Sequence, residues 1–180
     1  MKNLKEYIIE GIFDIEDNIN NIDESIKDQI KIFLKDNFDE ASSCKISDKP
    51  NKDGKYEVSN SKDMKVKNVK ITSLTNGLFI WTNVGGNFDC SYCKSLTSLE
   101  GAPKEVGEDF YCYYCDSLTS LEGAPTEVKG YFDCSVCDSL ISLKGAPKKV
   151  GGDFGCRDCG EQFTKEDIKK VSYVDGKIYC

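Results

Sequence analysis

The sequence predicts an α+β protein in which a short N-terminal helical segment precedes a repeat solenoid with a parallel sheet. Three observations support this prediction. Apolar residues in the first segment have helical spacing, a unit of twenty-two residues then recurs four times, and the chain ends on a helix-capping sequence followed by a strand pattern. We therefore expect the solenoid to be capped by a short C-terminal helix and strand.

The first segment, residues 1–41, is acidic and carries the spacing of helices. Ile26, Ile30 and Phe33 fall three or four positions apart, and Asp23 precedes them as a candidate N-cap. We expect two helices here. Eleven acidic and five basic side chains lie among the first forty residues, in a chain of net charge −7. Nucleic-acid phosphates would be repelled by this segment, whereas a basic partner could bind it.

The boundaries of the remaining segments follow from composition and from the repeat. Serine, lysine, asparagine, aspartate and glycine dominate the next segment, which also contains Pro50, and this composition is typical of a linker or exposed loop. We divide the rest of the chain into a linker at 42–62 and a solenoid at 63–180, made of a degenerate first coil at 63–83, repeats at 84–163 and a C-terminal cap at 164–180.

One repeat unit reads Val-x-x-x-Phe-x-Cys-x-x-Cys-x-x-Leu-x-x-Leu-x-Gly-Ala-Pro-x-x. Phe-x-Cys alternates with period two, so both side chains point to one face of a short strand. Gly-Ala-Pro marks a corner, because proline lacks an amide donor and cannot continue a helix or a central strand. A unit this small buries its apolar face only against stacked neighbours. The phenylalanines that open these strands are Phe88, Phe110, Phe132 and Phe154.

Both ends of the stack carry weaker versions of the unit. Val66 lies twenty-two residues before Phe88, so we align these two residues in the degenerate first coil, which also holds the single tryptophan. Near the C-terminus, Thr164 has N-cap character and predicts a helix at about 165–171. The final Ile-Tyr-Cys repeats the Phe-x-Cys pattern and predicts a last strand.

The repeat resembles the leucine-rich-repeat family, whose longer consensus is Leu-x-x-Leu-x-Leu-x-x-Cys-x-x-Leu. The segment from Phe132 through Cys134 and Cys137 to Leu140 matches its last nine positions. The resemblance implies a curved, leucine-rich-repeat-like solenoid with strands on the concave side. The chain departs from the family where valine replaces the first leucine and cysteine takes a strand leucine position. A sharper resemblance is to short cysteine-containing repeats of bacteriophages and gut bacteria.

The paired cysteines allow two interpretations. Cys-x-x-Cys pairs separated by eighteen residues match the spacing of a four-cysteine zinc ribbon. Phenylalanine, leucine and proline recur at the same period as the cysteines, and a zinc site does not require them. We therefore favour the interpretation that cysteine packs as a small buried residue, with no cofactor. Cys44 and Cys180 are interpreted as plain thiols. The alternative zinc ligands are Cys90, Cys93, Cys112, Cys115, Cys134, Cys137, Cys156 and Cys159.

Strand alternation also predicts a contact surface of three outward rows. These rows are Asn87, Asp109, Tyr131 and Asp153; then Asp89, Tyr111, Asp133 and Gly155; and then Ser91, Tyr113, Ser135 and Arg157. Tyrosine contributes contact area and a hydroxyl at low entropic cost, which favours a binding surface. The alternative is that these residues only keep the sheet soluble. The partner-binding candidates are Asp89, Asp109, Tyr111, Tyr113, Tyr131, Asp133, Asp153 and Arg157.

The opening residues resemble the capsid-targeting leader of internal head proteins in T-even phages. Leu4, Glu6, Ile8 and Glu10 carry this resemblance, which implies cleavage after Glu10. An ordinary amphipathic helix is the alternative. The resemblance implies a phage-encoded protein that acts in the bacterial cytoplasm or is packaged in the phage head.

No long apolar run predicts a membrane span or a secretory signal, and histidine is absent, which removes the commonest general base. We therefore expect a non-catalytic interaction protein that binds a host protein, such as a component of a defence system, in the manner of an anti-CRISPR protein. The alternatives are a zinc module that contacts nucleic acid and an internal capsid protein delivered with the phage genome.

Overall fold

In the computed structural model, the backbone is described for residues 4–180 and the side chains for residues 18–180. Helix α1, Leu4–Asn37, is one continuous helix, so the prediction of two helices in the first segment is wrong. No proline interrupts it, and a single glycine within a helix costs only about 1 kcal/mol. The capsid-leader resemblance rests on residues that lie outside the described side chains.

The rest of the chain winds into a solenoid with two sheets, and each coil contributes one strand to each sheet. The strands pair in parallel, apart from the antiparallel pair β1 and β2 at one edge. The first sheet contains β1 Lys45–Ile46, β2 Tyr56–Asn60, β4 Phe79–Val84, β6 Glu105–Val106, β8 Glu127–Val128, β10 Lys149–Val150 and β12 Tyr173–Val174. The second contains β3 Met64–Lys65, β5 Phe88–Asp89, β7 Phe110–Tyr111, β9 Phe132–Asp133, β11 Phe154–Gly155 and β13 Ile178–Tyr179.

The predicted α+β fold with a capped parallel solenoid is confirmed. Between the first and last complete repeats the coils are in register at twenty-two residues, as in the pairing of Phe88 with Phe110 and of Val106 with Val128. The sequence unit indicated one strand per coil, and the structure adds a second strand at the repeated valine. Two strands per coil define a β-solenoid.

The segment 42–62, which the sequence predicts to be a linker or loop, contains structured elements. After a 3-10 turn at Ala41–Ser43, β2 pairs with β4 and buries Tyr56 and Val58. The Tyr-x-Val alternation has the period of a strand with one buried face. The polar residues around it favoured a loop prediction instead. The solenoid therefore begins before residue 63.

The degenerate first coil is aligned two residues away from the predicted position. Met64, not Val66, pairs with Phe88, and the Val66 amide donates to the Asp89 carbonyl at 2.8 Å. Because a shift of two residues preserves the face of a strand, both Met64 and Val66 are buried. Between its strand in the second sheet and the next strand of that sheet, the first coil therefore contains two more residues than the later coils.

Stacked aromatic rings fill the interior. Phe88, Phe110 and Phe132 lie nearly parallel, with ring centroids 5.5 Å and 5.4 Å apart. At the N-terminal end, Phe38 follows α1 and lies 6.1 Å from Phe88 and 5.5 Å from Trp81 between ring centroids. The end of α1 therefore covers the open end of the aromatic column, as a solenoid cap does.

The C-terminal cap agrees with its prediction. Helix α2, Lys165–Val171, starts at Thr164, whose side chain accepts from the Asp167 amide while Asp167 accepts from Thr164 in return. Ile168 is the buried residue of this helix, and β12 and β13 then extend the two sheets. Within the described residues, no helix is long and apolar enough to cross a membrane.

Candidate functional site

The first outward row of the second sheet is a ladder of side chains bonded to backbone. Asn87 Oδ1 accepts from the Asp109 amide at 2.9 Å, and Asp109 Oδ1 accepts from the Tyr131 amide at 2.7 Å. In the last coil, Asp153 Oδ1 accepts from the Lys177 amide at 2.6 Å. Two predicted binding residues, Asp109 and Asp153, therefore connect successive coils.

The aspartates of the second row terminate their strands. Asp89 and Asp133 accept from the amides of Ser91 and Ser135 at 2.9 Å and 3.0 Å, an arrangement typical of Asx turns. Asp89 also pairs with Lys65 at 2.9 Å. Burial opposes ionisation of Asp89, but Lys65 and the Ser91 amide outweigh burial and lower the pKa of this carboxyl. Asp89 is thus a charged residue held in place.

The strand alternation used to predict the third row stops at the turn between the paired cysteines. Tyr92 and Tyr114 occupy this turn with positive φ values of 62° and 57°. This left-handed conformation turns Cys93 and Cys115 inward and leaves the tyrosines 50% and 40% exposed. Ser91, predicted to face outward, is buried, so its assignment to a contact row is wrong.

Sequence reasoning missed Tyr92 and Tyr114 as surface residues. The signal was present in the Cys-x-x-Cys spacing, because two inward residues three positions apart cannot belong to one uninterrupted strand. In the first two repeats, a turn between the cysteines exposes the residue before the second cysteine.

Five tyrosines form a connected patch across the second sheet, which we call the tyrosine cluster. Tyr92 and Tyr114 stack with ring centroids 5.0 Å apart and an interplanar angle of 6°. Edge-on contacts of 5.3 Å to 6.1 Å connect the other members. The tyrosine cluster consists of Tyr92, Tyr111, Tyr113, Tyr114 and Tyr131.

Two phenols of the cluster, those of Tyr111 and Tyr131, have raised pKa values. Burial raises the pKa of Tyr111, and the hydrogen bond of 2.6 Å that its hydroxyl donates to Asp109 Oδ2 adds to the effect. Burial also raises the pKa of Tyr131, followed by the negative charge of Asp133. Tyr111 and Tyr131 can therefore donate hydrogen bonds and present apolar rings, but they do not supply a phenolate base.

The remaining predicted contact residues lie apart from the tyrosine cluster or beneath it. Arg157 is exposed, and its guanidinium lies 4.8 Å from the centroid of the Tyr179 ring in the last strand. Gly155 is buried in β11, and an added Cβ there would collide with the Tyr131 hydroxyl. The cluster thus brings together the predicted Tyr111, Tyr113 and Tyr131, with Asp109 bonded to it.

The repeated cysteines have a defined structural role. From the second pair onward, the second thiol of a pair donates to the carbonyl of the first cysteine one coil earlier, from Cys115 to Cys90 at 3.3 Å and from Cys137 to Cys112 at 3.2 Å. Burial raises the pKa of Cys93 and of Cys137 to about 12. A protonated thiol is a small donor that fits between stacked coils.

The last pair differs, because Cys159 is only half-buried. Its thiol donates to the Cys134 carbonyl at 3.4 Å, and hydrogen bonding with Cys134 lowers the pKa of Cys159. All ten cysteines are free thiols. In the part of the chain with described side chains, no three His, Cys, Asp or Glu residues are grouped so that they could hold a metal ion.

The coils, sheets and tyrosine cluster define the protein as a parallel β-solenoid with helical caps. No protein-family model, curated protein or solved structure gives a significant match to this chain. The properties of the surface itself are therefore the basis for assigning a function.

Proposed function

We propose that this protein is a non-catalytic interaction protein that binds a partner protein through the tyrosine cluster. The observation that carries this proposal is the stacked pair Tyr92 and Tyr114. The two side chains are 50% and 40% exposed, respectively, although their rings are large and partly apolar. Tyrosines contribute strongly to protein interfaces when they stand on a rigid support, because little side-chain entropy is lost on binding. The stacked coils provide that support.

The charges around the cluster indicate the chemistry of the partner. Asp89 is paired with Tyr111 in the neighbouring strand, and Asp116 follows Tyr114 by two residues. Each forms an ion pair of 2.9 Å, with Lys65 and Lys94 respectively. Aromatic faces next to carboxylates favour arginine, whose planar guanidinium stacks on a ring and pairs with an acid. We propose a partner surface with arginine side chains and backbone carbonyls, which would accept the phenolic hydrogens.

A binding role also agrees with the chemistry of the buried groups. The thiols of the first three cysteine pairs have raised pKa values, which makes them poor nucleophiles. The sequence has no histidine to act as a general base. Binding requires neither a thiolate nor a general base.

The test is affinity capture from bacterial lysate with the full-length chain as bait. We expect a partner that is retained by the wild type and lost by the double variant Tyr92→Ala/Tyr114→Ala. The matched control is Tyr173→Ala, because Tyr173 is 64% exposed but belongs to the first sheet. Equal retention of every captured protein by the double variant would contradict binding through the cluster.

We further propose that the protein is phage-encoded and acts in the bacterial cytoplasm on a host protein such as a defence-system component. The cysteine-containing repeats and the leader-like N-terminus support this origin through resemblance. Expression in a host that carries a CRISPR system should raise the plating efficiency of a targeted phage, and the Tyr92→Ala/Tyr114→Ala variant should not. Unchanged plating with the wild type, across defence systems of the host, would refute the inhibitory role.

A further inference from the structure

A groove of about 670 Å³ opens where α1 meets the first coil, far along the chain from the tyrosine cluster. Its floor is formed by the buried side chains of Leu34 in α1 and Phe38 just after it, and its walls include Ala41, Cys44 and Ile46. Grooves that bind small molecules typically measure about 300–1,000 Å³ and combine an apolar lining with a few charged groups. This groove has both properties.

Four lysines border the groove in a protein that is acidic overall. Lys27 and Lys31 pair with Glu24 at 3.2 Å and with Asp28 at 2.9 Å. Lys35 and Lys67 also line the groove, and within the described residues neither forms an ion pair. Their charges are therefore available to a ligand.

Two carboxylates lie at the same groove, but they do not cancel the lysines. Glu40 is paired with Lys62 at 3.4 Å, which leaves Asp39 as the acidic group against Lys35 and Lys67. The groove thus presents positive charge above an apolar floor.

We propose that this groove binds an amphipathic anion with a single linear alkyl chain. The alkyl chain would lie along Ala41, Cys44 and Ile46, above the buried side chains of Phe38 and Leu34, and the anionic head would pair with Lys35 and Lys67. A peptide that adds to the sheet is a weaker fit, because the neighbouring edge strand β1 spans only Lys45–Ile46 and offers little backbone to pair with. This inference is independent of the proposed protein-binding function.

The single tryptophan reports on this groove without a label. The Trp81 ring lies 5.5 Å from the ring of Phe38, which lines the groove, and the chain has no other tryptophan. Binding against Phe38 should therefore change the intrinsic fluorescence of Trp81. The full chain is titrated with dodecanoate or dodecyl phosphate, each below its micelle concentration, to separate a carboxylate head from a phosphate head.

We expect saturable binding of at least one of these anions, and much weaker binding of dodecyl maltoside, which has the same chain but no charge. Butanoate should not bind detectably, because each buried methylene contributes about 0.8 kcal/mol. The double variant Lys35→Glu/Lys67→Glu should raise the Kd of the bound anion about tenfold or more. The matched charge reversal Lys104→Glu/Lys129→Glu, at exposed sites on later coils, should leave the Kd within about twofold.

Thermal unfolding establishes that both variants are folded before their affinities are compared. Failure of both alkyl anions to bind the wild type would overturn the proposal. Equal affinity for dodecyl maltoside, or an unchanged Kd in the Lys35→Glu/Lys67→Glu variant, would also overturn it. Binding of an acidic peptide in place of the alkyl anions would assign the groove to a protein partner and refute the alkyl ligand.

Discussion

Asp109 bonds to Tyr111 and Tyr131 at once, through different carboxylate oxygens. Oδ2 accepts from the Tyr111 hydroxyl at 2.6 Å, and Oδ1 accepts from the Tyr131 amide at 2.7 Å. One side chain therefore orients a phenol of the tyrosine cluster and connects two coils. The candidate surface and the stability of the stack are coupled through this residue.

Replacement of Asp109 separates these two roles. We expect Asp109→Ala to lower the free energy of unfolding by about 1–2 kcal/mol, because the Tyr131 amide loses its acceptor in a partly buried position. Asp109→Asn should cost less, since Asn87 makes the equivalent bond one coil earlier. Urea unfolding measures both values. Equal losses in the two variants would contradict the role of Oδ1.

The corner glycines provide a second test. Gly123 has a φ of +88°, and an added Cβ would collide with the backbone of Leu99 and Glu100 in the previous coil. Gly54 has a φ of +73° but open space around it. We expect Gly123→Ala to cost at least about 2 kcal/mol more than Gly54→Ala, because only the former adds a steric clash to backbone strain. Thermal unfolding compares the two, and equal costs would refute the close approach.

The hydrogen bonds from buried thiols to carbonyls of the preceding coil, which we call the thiol ladder, predict a difference between buried and exposed cysteines. Cys137→Ala should destabilise the protein by about 2 kcal/mol, since it leaves a cavity and removes the donor to the Cys112 carbonyl. Cys180→Ala should have little effect, because Cys180 is exposed. Denaturant unfolding under reducing conditions gives both values. A cost for Cys137→Ala no larger than that for Cys180→Ala would exclude a structural role for the ladder.

The zinc interpretation is tested by metal analysis. We expect less than one zinc ion per chain in protein purified without chelator, and the same unfolding temperature before and after chelation. A structural zinc site contributes directly to folding, so a stoichiometric ion whose removal unfolds the protein would replace packing as the role of the cysteines.

The capping box of α2 predicts a response to acid. Hydrogen bonds from Thr164, with help from Lys170, lower the pKa of Asp167 from 3.8 to about 2. A carboxyl with a lowered folded-state pKa stabilises the fold above its unfolded pKa and loses that contribution as the pH falls through the folded value. We expect the cap to weaken between about pH 4 and pH 2. NMR titration of Asp167 measures this, and a midpoint near 3.8 would contradict the capping interaction.

The fold was predictable from the sequence wherever the repeat was regular. Phenylalanine, cysteine and leucine at a fixed period identified the coils, and Thr164 identified the last helix. The strand at Tyr56–Asn60 was missed because its two buried apolar residues, Tyr56 and Val58, lie in a polar segment. The strand of the first coil was predicted two residues away from its observed position. The prediction assumed a constant coil length, whereas it is Met64 that pairs with Phe88.

The candidate surface was predictable only in part, because alternation holds for strands and not for turns. It identified Tyr111, Tyr113 and Tyr131, but it failed at Ser91 and did not predict that Tyr92 and Tyr114 are exposed. It also could not show that Asp109 and Asp153 accept from backbone amides of the next coil, because such bonds depend on stacking.

The constant register between Phe88, Phe110 and Phe132 means that surface positions along the solenoid repeat at a fixed distance. Each coil advances the surface by one strand spacing, about 4.8 Å. Duplication or loss of a whole coil would therefore move the flanking side chains apart or together by one step and leave the backbone pattern of every other coil intact. Substitutions at the outward positions change the side chains on the surface, whereas a change in the number of coils changes the length of that surface.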